Sequence, residues 1–165
     1  MGQSATKALF ERMGLSIHRS EVTKEWEVVK KGGSEVFSYM KLADARWHWE
    51  VALIDLLVAH QFHSAIVKAS ERWPSDDVDA AIRWLQMEPN VIPARISELQ
   101  GLRFELPRHW RSKALKLCAQ YHSNPEDAMA KSSLNAAVAI RDRLTGECAD
   151  GRTGKSATTE TESPR

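Results

Sequence analysis

Cysteine is nearly absent from this chain: two residues in 165, Cys118 and Cys148. Neither a disulfide framework nor a zinc site built on paired cysteines is available, and a reducing, cytoplasmic setting is expected. No continuous apolar run reaches the eighteen or so residues of a bilayer-spanning helix, and residues 1–14 lack the apolar stretch of a secretory signal. Charge of one sign is missing too. The net formal charge is +1, which argues against nucleic acid or membrane as a partner of the whole surface. Also missing are the glycine-rich loops that cradle phosphates, the G-x-S-x-G turn of a serine hydrolase and the H-E-x-x-H pair of a zinc protease. The chain is therefore expected not to be an enzyme and to carry no cofactor.

What is present suits one folded domain. Apolar residues make up 42% and charged residues 27%, with six tryptophans, enough to close a core at this length. Residues 147–165 contain no aliphatic side chain larger than alanine. They are expected to form a disordered tail on a domain spanning 1–146.

Periodicity predicts an all-α fold of six or seven helices around a central buried helix. Residues 4–12 form the first, with Leu9, Phe10 and Met13 inward and Gly14 as its stop. Ser20 suits the N-cap of a helix over 21–31, where Val22, Trp26 and Val29 fall at i, i+4 and i+7. Residues 26–29 would also suit a strand, but the length and flanks favour helix. From Ser34 the helical pattern runs to Trp73, divided by a bend near 44–46. Over 47–73, Trp47, Val51, Ile54, Val58 and Phe62 form one stripe, and Trp49, Leu53, Leu56, His60 and His63 a second. A helix apolar on two faces is expected to be the centre of the core. Ser75 caps an acidic-started helix, Pro93 begins a short one ended by Gly101, and 102–106 form an extended connector. After Pro107 a helix through Tyr121 buries Trp110, Ala114, Leu117, Cys118 and Tyr121. Asn124-Pro125 starts the last helix, with Ala130, Leu134, Ala137, Val138 and Leu144 inward.

Three groups of residues are candidates for function. Met1-Gly2-Gln3-Ser4-Ala5-Thr6 fits the pattern for acylation of Gly2 once Met1 is removed, which alone gives weak membrane binding. Residues 95–116 carry six basic side chains (Arg95, Arg103, Arg108, Arg111, Lys113 and Lys116) against two acidic ones. The last four are placed outward on a basic amphipathic helix suited to nucleic acid or an acidic protein surface. His48, His60 and His63 are weak metal-ligand candidates: His60 and His63 are neighbours at i, i+3, but three protein ligands plus water are needed for catalytic zinc.

The preferred reading is a non-enzymatic interaction or assembly protein, self-associating or binding another protein through tryptophan-bearing helix faces. An acylated N-terminus on a small helical domain with a basic patch resembles viral matrix proteins in layout, which implies assembly at the periphery of a membrane. The alternatives are a nucleic-acid-binding protein using 95–116 and a metal-dependent helical enzyme built on the three histidines.

Overall fold

A computed structural model describes residues 2–71 and 106–145. Its elements in chain order are α1 (Gln3–Arg12), β1 (Leu15–Arg19), β2 (Trp26–Lys30), β3 (Val36–Tyr39), α2 (Leu42–Ser70), α3 (Arg108–Gln120) and α4 (Pro125–Thr145). The Ser75 and Pro93 helices, the 102–105 part of the connector and the tail at 147–165 lie outside the described residues.

The fold is not all-α. The described residues form four helices and one antiparallel sheet in the order β1-β2-β3. Two elements that helical spacing predicted, 21–31 and the start of 34–44, are strands instead. The local signal at Ser20 is real: its Oγ accepts a bond from the Thr23 amide at 3.4 Å, as a helix cap would. Lys24, however, adopts a left-handed φ of 62°, and Ser20 and Glu25 close the turn through a 2.8 Å backbone bond. The chain reverses instead of coiling, and Val22 is left 90% exposed. Beyond the turn the β-branched and aromatic residues suit strands: in β2 Val28 is buried between half-buried neighbours, and in β3 exposed and half-buried positions alternate. Pairing sets Ile17 opposite Val28 and Val28 opposite Phe37, one inward row across three strands. On the outer face the paired His18 and Glu27 meet at 3.0 Å. Gly32, at φ +79°, allows the β2–β3 turn.

The core lies between this sheet and the helices. α1 contributes Leu9, Phe10 and Met13, the sheet Leu15, Ile17 and Val28, and α3 Ala114, Leu115, Leu117 and Cys118. α2 supplies the largest share: Ala45, Trp49, Ala52, Leu53, Ile54, Leu56 and Leu57. These span roughly 200° of its circumference at 100° per residue. Trp47, placed inward by the sequence pattern, is 55% exposed. The stretch Leu42–Lys68 has the length and mean hydropathy (1.3) to cross a membrane. Only 33% of that window is buried, so its place in the core explains part of that composition and not all of it.

α3 forms after Pro107 as expected. α4 begins where Asn124 Oδ1 accepts the Asp127 amide at 3.1 Å, but it turns a different face inward. Ala128, Ser132 and Ala136 are buried, whereas Leu134 and Val138 are 63% and 37% exposed. Small side chains at i, i+4 and i+8 let α4 lie close against α2, the most extensive helix–helix contact among the described residues.

Candidate functional site

Where the first turns of α2 and α4 run side by side, a cleft of about 490 Å³ opens. It is lined by Trp47, His48, Val51, Ala52 and Asp55 from α2, and by Glu126 and Met129 from α4. Helical geometry produces this grouping. Positions 47, 51 and 55 rise in one strip on the side of α2 that the core leaves free, and Met129 closes the cleft from α4.

The sheet holds the cleft's rim. Lys30, at the inner end of β2, reaches Glu126 Oε at 2.8 Å and Glu35 at 3.3 Å. The hydrogen bond it donates to Glu126 is the main reason its ammonium is held above the usual lysine range. His48 Nε2 lies 3.6 Å from Glu126. Its ring packs against Trp49, Tyr39 and Phe37, with centroids 5.0, 5.6 and 6.0 Å away. Tyr39 has its phenol pushed up by burial and then by the nearby Glu126 carboxylate. Asp55 differs from these. Among the described residues its carboxylate has no hydrogen bond or ion pair, and partial burial against the cleft wall pushes it above the usual carboxylate range.

The residues singled out in the sequence are distributed as follows. Gly2 is exposed, its carbonyl accepting the Ala5 and Thr6 amides at the start of α1. Arg95 and Arg103 lie outside the described residues. Arg108 and Lys116 face solvent, and Lys113 folds its ammonium over the Trp110 ring at 5.4 Å. Arg111 points inward, not outward: it donates to Glu50 Oε1 at 2.6 Å, and the two side chains are 16% and 9% exposed. The three histidines do not converge. His48 stands at the cleft, whereas His60 and His63 sit further along α2. Burial lowers the pKa of both, and at His60 the charge of Lys113 and then His63 adds to it. Among the described residues, no three His, Cys, Asp or Glu side chains gather as metal ligands would.

A second cavity, of about 470 Å³, lies where α1, α3 and α4 meet and is bordered by Arg12, Lys31, Cys118, His122 and Lys131. Its cations match nearby helix ends: Arg12 is in the last turn of α1, and Lys131 donates to the Tyr121 carbonyl that follows α3 and to Ser123 Oγ. Burial raises the Cys118 thiol to about 12, so it is not a nucleophile.

The joining of Trp47, Asp55, Glu126 and Met129 was not read from the sequence. One signal was there: an acidic residue interrupts the Trp47–Val51–Val58–Phe62 strip, where a wholly buried stripe would be apolar. The α4 contribution depends on which face that helix buries. No protein-family model matches the chain, and no curated protein or solved structure shows significant similarity to it.

Proposed function

We propose that this chain is a non-enzymatic interaction protein that receives part of a partner polypeptide in the cleft between α2 and α4. The observation that carries the reading is Trp47, a large ring 55% exposed at the edge of an apolar cavity. Tryptophan is among the costliest side chains to leave in water and the commonest anchor of protein interfaces. The cleft's chemistry suits binding: it offers an apolar floor, a fixed carboxylate rim and no activated nucleophile. A phosphate-binding role for α3 is less favoured, because Arg111 is engaged with Glu50 and Lys113 lies over the Trp110 ring.

The test is site-specific photo-crosslinking in the native host, with the photoreactive residue at position 47 and, as a control, at the more exposed position 22. A polypeptide captured from 47 and not from 22 supports the reading. Trp47→Ala should weaken binding of that partner at least roughly tenfold while leaving the melting temperature unchanged. If position 47 captures nothing in intact cells, the cleft is not a docking site.

A further inference from the structure

Building on the docking role proposed for the cleft, we infer that its partner is a segment of another protein that presents an apolar side chain between basic ones. On α2, positions 44, 47, 51 and 55 fall within roughly 80° of one another at 100° per residue. Asp44, Trp47, Val51 and Asp55 thus form one strip, acidic at both ends and apolar between. The two carboxylates lie eleven positions apart, roughly 16 Å along the axis. Among the described residues neither side chain has a hydrogen bond or ion pair.

Asp44 has an ordinary explanation in the first turn of α2, where a negative charge suits the helix dipole. Asp55 has none. It stands about three turns further along, solvent-exposed but beside apolar wall, where partial desolvation disfavours its charge. A cation supplied by a partner would relieve that cost. Across the cleft Glu126 adds a third carboxylate, shared with Lys30 and His48. Lys30, the lysine of that network, is only 16% exposed, so among the described residues the charge that lines the cleft is mainly carboxylate. Lys41 lies just before α2, outside the cleft lining.

Charge also sorts the candidate occupants. An anionic membrane or a nucleic acid would set phosphates against these carboxylates. A second copy of this chain offers one basic amphipathic helix among the described residues, α3. Its apolar arc of Ala114, Leu117 and Cys118 is already buried, so it has nothing free to insert.

The experiment is selection of phage-displayed random dodecapeptides on the immobilised full chain, in parallel with Trp47→Ala. Affinities of the selected peptides are then measured by fluorescence anisotropy at low and physiological ionic strength. The expected winners carry an aromatic or large aliphatic residue flanked by Lys or Arg, and bind more weakly as salt rises. Asp55→Asn should reduce their affinity about three- to tenfold without lowering the melting temperature. Peptides that require Trp47 but are neutral or acidic would overturn the basic-partner inference and leave the docking role standing. Enrichment identical on wild type and Trp47→Ala would remove both. Sedimentation with phosphatidylserine vesicles that disappears on Trp47→Ala would instead make the face lipid-seeking and overturn the inference.

Discussion

Between α2 and α3, Arg111 and Glu50 form a contact of 2.6 Å that is largely closed to solvent. Two charges withdrawn from water are tolerated only as a pair, so removing one partner strands the other. Arg111→Ala should therefore destabilise the fold by roughly 3 kcal/mol, measured by urea denaturation. The double change Glu50→Leu with Arg111→Met should restore most of that loss, and single variants as stable as wild type would contradict the inward placement. Residue-level chemistry also sets the behaviour of Cys118. Buried, with its thiol raised to about 12, it should resist a disulfide reagent at mildly alkaline pH until the protein unfolds. The reaction rate followed against denaturant concentration checks this. Arg111 shows why the sequence misplaced one of four basic residues on α3. Helical spacing identifies the apolar arc, but not that a carboxylate 61 positions away would draw one flanking cation inward.

Among the elements, legibility followed how much each depended on its neighbours. α1 and α3 were readable because each has one apolar arc and a sharp boundary, at Gly14 and Pro107. The region 15–39 was not. Val22, Trp26 and Val29 fit a helical spacing by chance, and the decision for strands came from pairing: Ile17, Val28 and Phe37 gain burial only when three segments align. α4 misled for a different reason. Leu134 and Val138 outweigh Ala128, Ser132 and Ala136 in hydrophobicity, yet the smaller side chains permit the closer approach to α2. Enlarging that face should be costly. Ser132→Leu or Ala136→Leu is expected to lose about 1–3 kcal/mol, whereas Ala130→Leu on the exposed side should stay within about 0.5 kcal/mol. Thermal melts of the three variants check which face is inward. At the β2–β3 turn, Gly32→Ala meets no neighbouring atom, so its loss of about 1–2 kcal/mol would come from the positive φ alone.

At the scale of the whole molecule, stability should depend on pH through α2. His60 and His63 both have folded pKa values below 6.5, so the unfolded chain binds their protons more readily. Their contribution is complete above about 6.5 and is lost as pH falls from there through the lower folded values. A melting temperature that is level above neutrality and declines below about 6.5 is the expected profile. His60→Gln with His63→Gln should flatten it. The cleft belongs to this scale as well, because it exists only where two helices distant in the sequence meet. Trp47 and Asp55 could be placed on one strip of one helix, but the opposing wall of Glu126 and Met129 required knowing the face that α4 presents.

The alanine–serine seam between α2 and α4 has one more effect. Helices seated that closely cannot slide or splay without opening a void, so the two walls of the cleft are held at a fixed separation before anything enters. A guest meets a receptacle already shaped and does not have to give up binding free energy to assemble it. Selectivity should accordingly come from size as well as charge, with side chains too bulky for the gap refused instead of accommodated.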